Sequence, residues 1–368
     1  MEKIILYGGS FDPVHNGHLR IARAASLLLN ADLIFVPSKA PRWKKTSARA
    51  TDRVNMLKEA LKADGSTNFS LSLVELNKPG TASYTYDTLQ EFKALYPKKE
   101  FIILIGEDQV EKFPTWYKAE ELVKEANVYY VPRDYKDAPK EVCEKYHIQR
   151  LPYLEAGKVS SSAVRSLKCL DIPPVVLQYI EKHELYFIKK VKEYLDDDRY
   201  LHSLSVAHLA QTIMLKNSLE NSDKGYIAGL LHDIGKVVPE IPSRKLVKKN
   251  DPEYQDFPAY ALHQFVGSYI AKHDFEIEDE EVLDAIKFHC SGKAHMMPLS
   301  KIIYSADKIE PLRGYDSSKM VKACLRNYYT GFLNVLEENR KFLKSQSKPL
   351  PDNPLSEECY QLYFKEEQ

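Results

Sequence analysis

The apolar run Ile4-Ile5-Leu6-Tyr7 leads directly into Gly8-Gly9-Ser10-Phe11-Asp12-Pro13-Val14-His15-Asn16-Gly17-His18-Leu19. The run reads as a buried strand, and the apolar spacing of Leu19 to Leu29 reads as a helix, so the segment predicts a strand, a glycine turn and a helix start. A glycine pair after a strand is by itself only a turn. Here the pair meets a helix N-terminus, whose first N–H groups are unpaired donors, and glycine carries no side chain to hold off a phosphate. His15 and His18, separated by Asn16-Gly17, can hold phosphate oxygens from the side.

The rest of the first half repeats this alternation. Strands are predicted at Ile4 to Tyr7, Leu33 to Pro37, Phe69 to Val74, Phe101 to Ile105 and Val128 to Val131, with helices at 17–29, 51–62, 85–95 and 117–125. That pattern predicts an α/β fold with a parallel sheet, whose ligands bind at the carboxyl ends of the strands. After about residue 188 the strand signals fade and helical patterns take over, which predicts an all-α second domain. At 368 residues the chain is long enough for two domains. The segment Ser345 to Pro354 reads as a linker, followed by a tail whose Tyr360, Leu362, Tyr363 and Phe364 dock on a domain.

Lys plus Arg and Asp plus Glu both number 52, which argues against a nucleic-acid binder working through a general basic field. Five scattered cysteines with no Cys-x-x-Cys pair predict free thiols in a reducing compartment. No apolar run reaches membrane-spanning length, and Glu2-Lys3 leads straight into a strand, so a cytoplasmic location without membrane contact is expected. A homo-oligomer is left open.

Two further segments in the first half suit a polyphosphate. Lys39, Arg42, Lys44, Lys45, Arg49 and Arg53 crowd the chain beyond the second strand, where they can neutralise a triphosphate. Ser160-Ser161-Ser162-Ala163-Val164-Arg165 puts hydroxyls at a helix start, capped by Ser161 or Ser162, with a guanidinium one turn on. The Gly8 to His18 string closely resembles the His-x-Gly-His signature of a nucleotidyltransferase superfamily, and Gly-Gly-Ser-Phe-Asp-Pro resembles nicotinate-nucleotide adenylyltransferases in particular. The resemblance covers roughly residues 1–188. It implies a doubly wound, Rossmann-like domain that transfers AMP from ATP to nicotinate mononucleotide, with Mg²⁺ carried by the nucleotide. Gly8, Gly9, Ser10, Phe11, His15, His18, Ser161, Ser162 and Arg165 would then bind ATP. His15, His18, Lys44 and Arg165 would serve catalysis, while Thr85, Asp108, Trp116, Tyr117 and Arg133 would hold the mononucleotide. This chain reads Arg42-Trp43-Lys44 where the family has Pro-His-Lys, and Ser162 where it has threonine. Nicotinamide mononucleotide or phosphopantetheine are alternative acceptors.

The second half carries Gly229-Leu230-Leu231-His232-Asp233-Ile234-Gly235-Lys236, a His-Asp pair on an apolar helix, where a charge is costly unless paired. A metal is the simplest partner. With His202 upstream and His263, His289 and Asp307 downstream, the order resembles the HD superfamily of metal-dependent phosphohydrolases, over residues 189–343. The whole ordered set, with Tyr304 to Pro311 at its end, looks most like the small HD-domain hydrolases that split diadenosine tetraphosphate symmetrically into two ADP. The resemblance implies two divalent metals, foremost iron, held by His202, His232, Asp233, His263, His289 and Asp307, with Asp233 bridging them. Lys236 and Arg313 would grip the dinucleoside polyphosphate. The alternative is a non-catalytic nucleotide sensor. Residues 344–368 are then linker and tail.

Overall fold

A computed structural model describes residues 2–39, 46–78, 83–132, 138–151, 159–345 and 353–365. The chain divides into two compact units. The first comprises Met1–Arg165 and Cys169–Tyr186, and the second Ser166–Lys168 and Phe187–Gln368.

The first unit is built on β1 (Lys3–Gly9), β2 (Ala31–Pro37), β3 (Phe69–Leu71), β4 (Glu100–Gly106), β5 (Asn127–Val131) and β6 (Gln149–Arg150). They form one sheet in the order β3-β2-β1-β4-β5-β6, every neighbour parallel. The three central strands are buried along nearly their whole length, as expected of a sheet covered on both faces. The chain moves outward one way from β1 and the other way from β4. Loops leaving these two neighbours therefore diverge and open a crevice at their carboxyl ends.

Three predicted details differ. β1 continues through both glycines, because Gly8 and Gly9 pair with Val36 and Pro37 and the Gly9 carbonyl accepts from the Ser38 N–H at 2.9 Å. The turn thus begins at Ser10. β3 ends at Leu71 rather than Val74. The Ser72 N–H still reaches the Phe35 carbonyl, but the Ser72 hydroxyl then accepts from the Val74 N–H and starts a helical turn, Val74–Asn77. β6 has two exposed residues, too few to leave a periodic signal. The predicted helices appear as Asn16–Leu29, Ala50–Asp64, Thr85–Leu95 and Ala119–Glu125.

The turn after β1 rests on two buried charges. Asp12 accepts from the Ser47 and Ala48 N–H groups at 2.7 and 3.1 Å and from the Tyr186 hydroxyl at 2.8 Å. Arg53, 1% exposed, donates to the carbonyls of Ser10, Ser38 and Lys39 at 2.5, 2.9 and 3.2 Å. Burial lowers the Arg53 pKa, and the Asp12 carboxylate opposes that shift.

In the second unit the regular elements among the described residues are all helical. Gly225 and Gly229 lie on one face of the helix Asp223–Leu231, and a Cβ on them would stand 3.0 Å from the Ala210 backbone and 2.6 Å from the Ala207 backbone. The helix Asp197–Lys216 approaches closely only because those side chains are missing. A Cβ on Gly235 would meet the His263 carbonyl at 2.3 Å, so the helix Leu262–His273 packs against the turn Ile234–Val237 for the same reason. The tail forms the helix Pro354–Lys365, with Cys359 and Tyr363 buried and the Tyr363 hydroxyl accepting from the Met296 N–H at 2.9 Å. All five cysteines are free thiols.

Arg53→Met is expected to destabilise the first unit by about 3 kcal/mol, since three part-buried carbonyls lose a charged donor. The exposed Arg49→Met should change stability by less than about 0.5 kcal/mol. Urea unfolding monitored by circular dichroism checks both.

Candidate functional sites

A cavity of about 380 Å³ opens at the carboxyl ends of β1 and β4. Its walls include Gly8, Gly9, Ser10, Phe11, His15, His18, Thr85, Asp108, Trp116, Tyr117, Ser161 and Ser162, so three separate sequence motifs meet in one space. Lys44 and Arg133 lie outside the described residues, as do Arg42 and Lys45.

His15 caps the helix Asn16–Leu29, and the His15 N–H donates to His18 Nδ1 at 3.2 Å. A neutral His18 therefore carries its proton on Nε2, as a donor. The two rings stack with centroids 3.6 Å apart. Phe11, fully buried, packs edge-on against His18 and Phe35 and supports that ring from below. The two glycines do different jobs. A Cβ on Gly9 would strike the Phe11 ring at 3.0 Å, whereas one on Gly8 would meet nothing within 4 Å. Asp171 anchors the same helix, accepting from Asn16 Nδ2 at 2.8 Å and Arg20 Nη2 at 2.7 Å. Burial alone would raise its pKa, but these two donors hold it below the ordinary value. Sequence reasoning passed over Asp171, which no local pattern marks.

The serines divide their roles differently from the prediction. Ser160 is the cap, its hydroxyl accepting from the Ala163 N–H at 3.1 Å, while Ser161 donates to the Pro13 carbonyl at 2.9 Å. Ser162 lies 3.0 Å from Ser160, oxygen to oxygen. Arg165 is not a wall of the cavity. Its Nη1 donates to the Asp12 carbonyl at 2.6 Å and stands 3.8 Å from the Asp12 carboxylate. Within the basic segment, Arg53 buttresses the turn and Lys39 donates to the Lys78 carbonyl at 2.6 Å. Both are thus engaged by main-chain carbonyls within the protein.

On the far side, Tyr84 and Tyr117 pack with centroids 4.8 Å apart, and the half-buried Trp116 leans on Phe113 at 5.0 Å. Asp108 is exposed at the cavity's edge and accepts from Gln109 Nε2 at 2.7 Å. Glu75, on the turn read from sequence as strand, also lines the cavity. Its carboxyl is raised by burial, against a hydrogen bond from the Thr88 hydroxyl at 3.2 Å.

In the second unit, His202, His232, Asp233, His263, His289 and Asp307 converge. His202 and Asp307 lie within the helices Asp197–Lys216 and Pro298–Ile309. His263 lies near the start of Leu262–His273. His232 and Asp233 stand just past the helix Asp223–Leu231 rather than on it, and His289 just past Glu280–Lys287. Three imidazoles are oriented alike. Nδ1 of His232, His263 and His289 lies 2.7, 2.6 and 2.7 Å from the carbonyls of Gly229, Tyr260 and Ile286, each three residues back. A carbonyl only accepts, so each Nδ1 carries a proton, and in the neutral ring each Nε2 offers a lone pair.

Those lone pairs face one another and the carboxylates. His263 and His289 Nε2 are 3.1 Å apart. Asp233 Oδ1 lies 3.5, 3.4 and 3.5 Å from Nε2 of His232, His263 and His289, and Asp307 Oδ1 lies 3.2 and 3.5 Å from Nε2 of His202 and His232. His232 Nε2 and Asp233 Oδ1 are buried with no hydrogen-bond partner. Orphaned acceptors gathered this closely suit a cation, and three ligand sets are present: His202-His232-Asp233, His232-His289-Asp307 and Asp233-His263-His289. Burial would raise Asp233 and Asp307, yet positive charge on His232, whose own pKa these carboxylates raise, and on Lys236 and Lys308 holds both well below the carboxylate range. Burial pushes His289 down to about 4, keeping it neutral as a ligand must be.

A cleft of about 480 Å³ gives onto this cluster, and Arg199, Lys236 and Arg313 line it. Lys236 Nζ reaches Asp233 Oδ2 at 2.6 Å, and Arg313 Nη2 bonds Asp307 Oδ1. Glu310, also in the wall, was not singled out from sequence. Among the described residues no helix is long and apolar enough to cross a membrane.

Residues 6–167 match the Cytidylyltransferase-like family and residues 199–312 the HD domain. A probable nicotinate-nucleotide adenylyltransferase/Ap4A hydrolase of Mycoplasma genitalium is 30% identical over 356 residues, 93% of this chain and 99% of that protein. A probable nicotinate-nucleotide adenylyltransferase of Neisseria meningitidis serogroup A is 36% identical over 199 residues, 50% of this chain and 99% of its own length. A solved Clostridium acetobutylicum structure, described as a predicted HD superfamily hydrolase involved in NAD metabolism, is 29% identical and covers 48% of this chain and 95% of its own, with a TM-score of 0.44. On the near full-length match, the chain belongs to the family of the probable nicotinate-nucleotide adenylyltransferase/Ap4A hydrolases, a Cytidylyltransferase-like domain followed by an HD domain.

Proposed function

We propose that residues 1–188 transfer AMP from ATP to nicotinate mononucleotide, releasing pyrophosphate and deamido-NAD, and that residues 189–343 hydrolyse a nucleotide polyphosphate, foremost diadenosine tetraphosphate to two ADP. The observation that carries the first reading is the meeting of the His15-His18 pair, the Ser160 to Ser162 hydroxyls and the Thr85-Trp116-Tyr117 group around one cavity. The acceptor phosphate attacks the α-phosphorus in line, with no covalent intermediate, so catalysis is positioning and charge stabilisation. His18, with its proton on Nε2, donates to a phosphate oxygen, and His15 is held beside it by the stacked rings. Lys44 adds positive charge, and Arg165 adds it from behind the turn through its bond to Asp12. Mg²⁺ travels with the triphosphate. Thr85, Trp116 and Tyr117 surround the nicotinate ring, Asp108 accepts ribose hydroxyls, and Arg133 borders the mononucleotide.

The second reading rests on the converging Nε2 lone pairs. His202, His232, Asp233 and Asp307 would hold one divalent ion, and Asp233, His263 and His289 another. Bound there, two such ions supply Lewis-acid polarisation of a phosphoryl group and a nucleophilic water at neutral pH. Iron is the metal favoured by the family resemblance, and manganese and zinc also suit imidazole and carboxylate donors. Lys236, Arg313 and Arg199 draw the polyphosphate into the cleft.

His18→Ala should lower kcat for AMP transfer by about 10²–10³-fold with unchanged circular dichroism, read as pyrophosphate release. In the same assay nicotinate mononucleotide should outperform nicotinamide mononucleotide, and the reverse preference would overturn the acceptor assignment. Asp233→Ala should abolish both bound metal and diadenosine tetraphosphate hydrolysis while leaving AMP transfer intact. Full metal content in that variant would refute the bridging role.

A further inference from the structure

Of the four converging histidines, His202 alone is oriented by a side chain. His232, His263 and His289 each use a backbone carbonyl three residues back, a group available because these residues stand at helix ends or starts. His202 lies inside the helix Asp197–Lys216, where the carbonyls are engaged in the helix itself. Its Nδ1 instead meets Glu310 Oε1 at 2.9 Å. Glu310 is 1% exposed, and a buried carboxylate is costly unless both oxygens are bonded. The second oxygen, Oε2, accepts from the Leu312 N–H at 2.7 Å and so caps the turn Pro311–Arg313. From that turn Arg313 Nε donates to the Asp307 carbonyl at 2.7 Å.

We propose that Glu310 is a positioning residue for the metal centre, holding the His202 proton on Nδ1 so that Nε2 is presented as a ligand beside Asp307, while the same carboxylate sets the turn that carries Arg313. This rests on the reading of the cluster as a two-metal centre. A carboxylate behind an imidazole raises its basicity more than a carbonyl does, so the ion held by His202 depends on Glu310 in a way the ion held by His263 and His289 does not.

The test is titration of the full-length, metal-stripped chain with Co²⁺, followed by visible absorption and equilibrium dialysis. Wild type should bind two ions. Glu310→Gln keeps the shape and removes the charge, and should weaken one ion by about 10–100-fold while leaving the other unchanged. Glu310→Asp, which retains the charge, should recover part of that affinity. In a His202→Ala background Glu310→Gln should cause no further loss, because a residue acting through His202 has nothing left to act on. Equal weakening of both ions, wild-type binding in Glu310→Gln, or additive losses in the double variant would each overturn the assignment. Absence of Co²⁺ binding by wild type would instead remove the metal-centre reading on which it stands.

Discussion

The Asp233 carboxylate has 1% exposure and three imidazole nitrogens 3.4–3.5 Å from one of its oxygens. An isolated carboxylate there would cost several kcal/mol, so its surroundings must supply compensation. Neutral imidazoles with their proton on Nδ1 cannot donate from Nε2. The demand is met partly by Lys236 and otherwise points to cations shared among the orphaned acceptors. Most of the second unit's local architecture serves this convergence. His232, His263 and His289 stand at helix ends or starts where a carbonyl can hold an imidazole, and Glu310 takes that place for His202 within its helix.

Close backbone approach makes the convergence geometrically possible. Gly225 and Gly229 let one helix settle onto Ala207 and Ala210 of its neighbour, which brings His232 towards His202. Gly235 performs the same service for the helix carrying His263. The glycine of the His-Asp-Ile-Gly-Lys string is therefore a packing requirement as well as part of a motif.

The first unit meets a related demand with donors of its own chain. Its turn after β1 leaves part-buried carbonyls and a buried carboxylate beside the cavity at the carboxyl ends of β1 and β4. Arg53 and the Ser47 and Ala48 amides satisfy these from within the protein. His18, Gly8 and Gly9 meanwhile line that cavity. A polar group that stabilises the turn and one that binds a ligand compete for the same donors.

Much of this was legible in the amino-acid order. Apolar runs of strand length alternating with helical spacing specify a parallel sheet, since they describe strands buried on both faces and joined by helices. The ordered His, His-Asp and Asp series marked the second site because such residues on apolar segments need a partner. What could not be read was which donors the fold would consume. Arg53 looked like any other member of a basic cluster until burial assigned its nitrogens to carbonyls, and Ser160 rather than its neighbours became the cap. Val74 left the strand because a hydroxyl two residues earlier captured its N–H. Sequence alone determined which chemical groups each unit possesses and the order of its elements, because composition and periodicity are local properties. Only the tertiary structure decided which of those groups remain available to a ligand, because hydrogen-bond partners such as Asp171 for Arg20, or Glu310 for His202, come from more than 100 residues away in the chain.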